Sequence, residues 1–198
     1  MYRLEEEQDN TPKNDQGLFM KKMLEERTVL IYGEVTQDLA REVSSQLLLL
    51  ASMSDEPIKI FVNSPGGHVE SGDTIHDMIQ FIKPEVIMIG TGWVASAGVT
   101  IYLAAEAKNR YCLPNTRFMI HQPAGGVQGQ GTEIQIEAKE IVRMRERVNR
   151  MIAEATGQTY EQVAKDTDRN FWMSADEAKN YGMVSEIIKS SDEVKSGK

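Results

Sequence analysis

The chain has 198 residues, of which 40% are hydrophobic and 26% charged, and a formal net charge of −8. That length suits one domain with a sizeable core, and the charged fraction is ordinary for a globular protein. The acidic balance excludes nucleic acid as the main partner, because phosphate binding needs a basic face.

Residues 1–17 are charged, carry Pro12 and Gly17, and show no period, which predicts a mobile arm. The arm lacks a basic stretch followed by an apolar run, so no signal peptide is expected. The run Leu47–Ala51 is far too short to span a bilayer, so no membrane partner is expected.

A short helix is predicted over 18–27, then a strand over 28–33 ended by glycine. Thr36 can cap a helix whose stripe is Leu39, Val43, Leu47 and Leu50. "PIKIFVNSPGG" reads as strand then turn, and "VESGDTIHDMIQFIK" as a helix stopped by Pro84. "EVIMIGTG" is a buried strand and "SAGVTIYLAA" an apolar helix. "NRYCL" and "RFMIHQP" are short strands.

A long polar helix is predicted from Thr132 to Ala155 and a second piece over "TYEQVAKDT". A last helix follows, with Ser174 as cap and Gly182 as stop, then the strand "MVSEII" and a polar tail over 190–198. The alternation predicts an α/β domain over 18–189 with helices crossing between parallel strands. The single cysteine, Cys112, permits no internal disulfide and no paired-cysteine metal site. It reads as a small strand residue in a reducing, cytosolic setting.

Ligands of such folds gather beyond the C-terminal ends of the strands. "NSPGG", "VASAG" and His121 all fall there. Ser96 reads either as a cap serine among small packing residues or as a nucleophile at the positive end of a helix. The glycines of "NSPGG" fit either a plain turn or a backbone that faces a ligand. His121 is either a satisfied strand-end histidine or a base. His68 and His76 lack metal-ligand spacing and read as surface residues.

"FVNSPGG", "GWVASAG", "CLPNTRFMIHQPAGGVQGQGTEI" and "DTDRNFWMSADEAKNYGMV" together resemble the ClpP family of serine peptidases. The similarity runs from about Leu24 to Ile188, with several motifs in order. It implies a ClpP/crotonase-like fold of repeated β-β-α units with a protruding handle over about 124–155. It further implies Ser96 as nucleophile, His121 as base, and the amides of Gly67 and Ala97 as oxyanion donors. Substrate would be held as an added strand between His68, Val69 and Glu70 on one side and Gln122, Pro123, Ala124 and Gly125 on the other.

The resemblance also implies a cytoplasmic homo-oligomer of seven-membered rings, single or stacked in pairs, with no cofactor and no metal. Asp168 and Arg169 would join ring to ring, and a second ClpP paralogue could co-assemble. A separate AAA+ unfoldase would dock on Phe61, Phe81 and Tyr111 and feed in unfolded polypeptides.

This sequence departs from the family at several points. Asn170 stands where the family has its catalytic aspartate, and a neutral amide cannot stabilise imidazolium by charge. The loss of charge points to weak turnover alone, or to a mainly structural or regulatory subunit beside an active paralogue. The family's pore loop is not recognisable in residues 1–20. Lys59 replaces a common aromatic, and Ala97 a common methionine.

Overall fold

The computed structural model describes residues 13–126 and 128–194. Helix α1 (Lys13–Glu25) leads into β1 (Thr28–Tyr32), α2 (Gln37–Met53), β2 (Ile58–Ser64), α3 (Val69–Phe81) and β3 (Val86–Ala95). Then come α4 (Ala97–Tyr102), β4 (Arg110–Cys112), β5 (Arg117–Ile120), α5 (Gly131–Thr156) and α6 (Tyr160–Asp166). The chain closes with β6 (Phe171–Met173), α7 (Ala175–Tyr181) and β7 (Glu186–Ile187).

Helix α1 begins inside the segment expected to be an arm. Its first turn, Lys13–Gln16, carries no apolar residue, so hydrophobic period could not mark the start. The rest of the expected arm, residues 1–12, lies outside the described residues, as do residues 195–198 of the expected tail. The strand β6 was not foreseen, because three residues are too few to show a period.

The helix caps follow the sequence closely. Thr36 Oγ1 accepts from the Leu39 amide at 3.2 Å, and Val43, Leu47 and Leu50 of α2 are fully buried. Ala40 joins them where Leu39 was expected, and Leu39 is only half-buried. Ser174 and Glu177 form a reciprocal capping box, and Gly182 ends α7 in the left-handed region at φ 93°. The Ser174 amide holds the Glu177 carboxyl below its ordinary value.

Strands β1, β2, β3, β4 and β7 form a parallel sheet in that order. Its Val29, Ile31, Ile58, Ile60 and Met88 pack with α2, α3 and α4 into one buried core. Cys112 lies buried in β4 as a free thiol, and burial pushes it up to about 12.

Strand β3 changes partner midway. β2 advances from Val62 to Ser64 while β3 advances from Gly90 to Val94, so β3 bulges. Gly92 takes φ 60° in the bulge, and a Cβ there would lie 2.9 Å from Asn63 Oδ1. Before the bulge, Met88–Gly90 pair with β4; after it, Trp93–Ala95 pair with β5. Strand β5 then pairs antiparallel with β6. The sheet thus forks, and the small fork β3–β5–β6 carries the site.

His76 corrects a sequence expectation. It is 6% exposed, and its Nδ1 lies 2.8 Å from the Thr100 carbonyl. Its helix turns it with Ile75 and Ile79 toward α4, so it is a satisfied interior histidine.

Candidate active site

Ser96 sits between the end of β3 and the start of α4. It occupies the cap position, yet its hydroxyl makes no capping bond, and its backbone takes φ 53° and ψ −123°. A non-glycine residue held there costs about 1–3 kcal/mol and persists only where surroundings enforce it. Here the Ser96 amide donates to the Met119 carbonyl of β5 at 2.9 Å.

Arg27 is the other described non-glycine residue at positive φ, and its guanidinium donates to the carbonyls of Leu50, Ser54, Glu56 and Pro57. Those bonds close the end of α2. The Ser96 hydroxyl instead meets His121 Nε2 at 2.8 Å.

His121 follows β5 directly. Its Nδ1 lies 3.1 Å from Asn170 Oδ1. That oxygen only accepts, so Nδ1–H donates to it and Nε2 is left to accept the Ser96 hydroxyl proton. The segment is held in place by Gln122, whose amide donates to the Thr167 carbonyl at 2.6 Å and whose Nε2 donates to the Asp168 carbonyl at 2.8 Å.

The small residues around Ser96 are packing requirements as well. A Cβ on Gly66 would lie 2.5 Å from Ser96 Cβ and 3.1 Å from the Ala97 nitrogen. Gly66 and Gly67 take φ 95° and 149°, conformations that side chains rarely adopt. The turn is fixed by Val35, whose amide donates to the Gly66 carbonyl and whose carbonyl accepts from the His68 amide, both at 2.8 Å. These bonds leave the Gly67 and Ala97 amides without an acceptor among the described residues.

Two cavities meet at His121 and Pro123. A small, partly open one of about 20 Å³ lies beside Ser96, lined by Val69, Ala97, Thr100, Ile120, Val148 and Ile152 among others. An open one of about 660 Å³ runs past His121, Gln122, Pro123, Ala124, Gly125 and Asn170. A larger cavity, about 760 Å³, lies between α3, the end of α4 and α5, around Arg110 and Arg147, and includes neither Ser96 nor His121.

Thr100, Val148 and Ile152 were not singled out from sequence. They reach the site by packing of α4 and α5, which no local signal shows.

The remaining expected positions scatter around this centre. His68 is exposed, with Nδ1 2.9 Å from Ser71 Oγ and Nε2 3.3 Å from the Glu70 carboxylate. Asp168 lies 3.5 Å from Arg145, and Arg169 is almost wholly exposed. Phe81 is 76% exposed and Phe61 half-buried, but Tyr111 is only 2% exposed, packed with Ile87, Ile89 and Ile188. Tyr111 therefore supports that face from beneath. Among the described residues no cluster of His, Cys, Asp and Glu is placed to hold a metal, and no helix is long and apolar enough to cross a membrane.

Known proteins resemble this chain in sequence and fold. The Clp protease family matches residues 13–191. The ATP-dependent Clp protease proteolytic subunit 3 of Rhizobium etli is 56% identical over 191 residues, covering 96% of this chain and 98% of that protein. The proteolytic subunit 2 of Pseudomonas aeruginosa is 57% identical over 175 residues, covering 88% and 87%.

Two solved structures superpose closely. ClpP1 from Listeria monocytogenes has a TM-score of 0.82, and an asparagine-to-aspartate mutant of it has 0.84. Each is 67% identical and covers 89% of this chain and 99% of its own. With the forked α/β sheet, the strained serine and the histidine that meets it, these matches lead to one conclusion: the chain belongs to the Clp protease family and is a peptidase.

Proposed function

We propose that the chain is a serine endopeptidase subunit of a self-compartmentalised Clp-type protease, working through Ser96, His121 and Asn170. The observation that carries this is the hydrogen-bonded line Ser96 Oγ–His121 Nε2 and His121 Nδ1–Asn170 Oδ1, at 2.8 and 3.1 Å. In the reaction His121 takes the Ser96 proton as Oγ attacks the scissile carbonyl, and returns it to the leaving amine. The amides of Gly67 and Ala97 receive the oxyanion. In support, neither has an acceptor among the described residues, and Gly66 seats the turn against the start of α4.

Substrate lies in the open cavity as an added strand. Backbone bonds to Gln122–Gly125 hold it on one side. On the other, His68 caps α3 and Val69 and Glu70 form its first turn, so they offer helix-start amides instead of the strand edge expected from sequence, and sequence preference stays loose. The cavity beside Ser96, about 20 Å³, has room for little more than a methyl-sized group and so favours a small apolar side chain next to the scissile bond.

Asn170 makes the subunit slow. It orients the ring and fixes the tautomer, but it adds no charge to stabilise imidazolium. In the serine-protease template, an aspartate-to-asparagine change costs roughly 10⁴-fold in kcat. The same neutrality favours a second reading, in which the chain serves mainly as a structural or regulatory subunit beside an active ClpP paralogue.

The subunits assemble into heptameric cytoplasmic rings, single or stacked in pairs. The outer half of α5 and the Asp168–Arg169 pair carry the ring-to-ring contact, and an AAA+ unfoldase docks near Phe61 and Phe81. Assembly is supported by Ile134, Ile136 and Val142, which are well exposed on α5.

A fluorophosphonate probe tests the catalytic part. Wild-type protein is expected to label at Ser96 and to cleave a short fluorogenic peptide, and Ser96→Ala to do neither. Peptide cleavage retained by Ser96→Ala would remove the assignment. Labelling without measurable turnover would favour the regulatory reading.

A further inference from the structure

Each residue of the proposed triad adjoins the end of a strand in the small fork. Ser96 follows β3, His121 follows β5 and Asn170 precedes β6. β3 and β5 run parallel and β6 antiparallel to them, so the three ends fall together. The β5–β6 register pairs Met119 with Trp172 and Ile120 with Phe171. Continued by one residue, it sets His121 opposite Asn170. A slip of one residue would set a neighbour of Asn170 there and reverse every side chain of the strand.

Strand β6 spans only Phe171–Met173 and pairs with β5 alone, so its ladder gives little to fix that register. Its inner face buries Met173 and packs Phe171 against the core and Tyr181, and the outer face of the fork adds a second anchor. Trp172 stacks on Trp93 of β3, with ring centroids 6.3 Å apart and planes within 6°. The Arg117 guanidinium lies 4.3 Å over the Trp172 ring. Trp93 is the register partner of Arg117, and Trp172 that of Met119, so one face carries a layer from β3 across β5 to β6. The two rings stay 42% and 37% exposed, so they are held largely by one another and by Arg117.

Resting on the triad reading, we propose that Trp172 is a positioning residue for the peptidase reaction. Clasped by Trp93 and Arg117, it fixes β6 on β5 and thereby holds Asn170 Oδ1 on His121 Nδ1. The need is sharper for an amide than for a carboxylate. A charge attracts the imidazolium over distance, whereas an amide oxygen acts only within hydrogen-bond geometry.

The test is steady-state hydrolysis of a fluorogenic peptide by the full chain, with assembly size followed by sedimentation. Trp172→Ala is expected to lower kcat by roughly tenfold or more, with KM within about twofold, because small misplacements of catalytic groups are costly. Trp172→Phe, which keeps a stacking ring, restores most of the rate. On an Asn170→Ala background, Trp172→Ala costs nothing further, since both changes remove one interaction.

Wild-type kcat in Trp172→Ala, losses that multiply on the Asn170→Ala background, or a changed assembly size would each overturn the proposal. If Trp172→Ala does not fold, Arg117→Gln carries the same test, with a smaller loss that again vanishes on the Asn170→Ala background. An Asn170→Ala protein with wild-type kcat would bring down the triad reading itself. A slow Asn170→Ala beside a fully active Trp172→Ala would bring down only the clasp.

Discussion

The two ends of helix α5 share one amphipathic pattern and live in different surroundings. At the base, Val148, Ile152 and Ala153 are buried, and Asn149 Oδ1 accepts the Thr167 hydroxyl at 2.9 Å. Val148 and Ile152 also line the cavity beside Ser96. In the outer half, Ile134, Ile136 and Val142 are 41%, 55% and 55% exposed. One helix thus writes two kinds of instruction. The base is completed by its own chain, and its apolar residues specify the fold and the site. The outer half keeps apolar residues left exposed by the other described residues, which favours the subunit contact proposed above.

Substitutions at the two ends can break that comparison. Ile152→Ala is expected to cost about 2–5 kcal/mol of unfolding free energy, the range for truncating a buried isoleucine. It should also loosen peptide specificity by enlarging the cavity. Denaturant unfolding and a peptide panel would check both, and a loss well under 1 kcal/mol would mean the base is not the core contact described.

Thr167→Val is expected to cost about 1–3 kcal/mol, because it strips a buried Asn149 of its hydroxyl partner. The Asn149 Nδ2 already lacks one among the described residues. The effect should reach the site, since the Thr167 carbonyl accepts from the Gln122 amide.

Ile136→Ser, in the outer half, is expected to change monomer stability by less than about 0.5 kcal/mol. The same substitution should shift sedimentation toward smaller assemblies. Unchanged assembly would contradict the reading of that surface.

Much of this molecule was legible from local pattern. The strand "IKIFVNS" alternates, and it buries Ile58, Ile60, Val62 and Ser64. The caps at Thr36, Ser174 and Gly182 are local chemistry and sit where they were read. Ser96 and His121 were legible as convergent strand-end residues, though spacing alone could not tell a cap from a nucleophile.

What stayed hidden is non-local. The change of partner in β3 at Gly92 depends on which strands arrive on either side, and nothing in "IGTGWVA" states that. His76 looked like a surface residue because burial of α3 against α4 is a tertiary fact. Strand β6 exists because β5 is there to pair with it. The Trp93–Trp172 stack joins residues far apart in sequence that share a face only once the fork has formed.

The most direct test of the central claim is peptide hydrolysis by wild type and Asn170→Asp at matched assembly, with sedimentation in the same buffer. The account predicts a kcat at least about tenfold higher for Asn170→Asp, with roughly 10⁴-fold as the ceiling set by the template. Equal rates at equal assembly would contradict the account, and would show that Asn170 is not the group that orients His121.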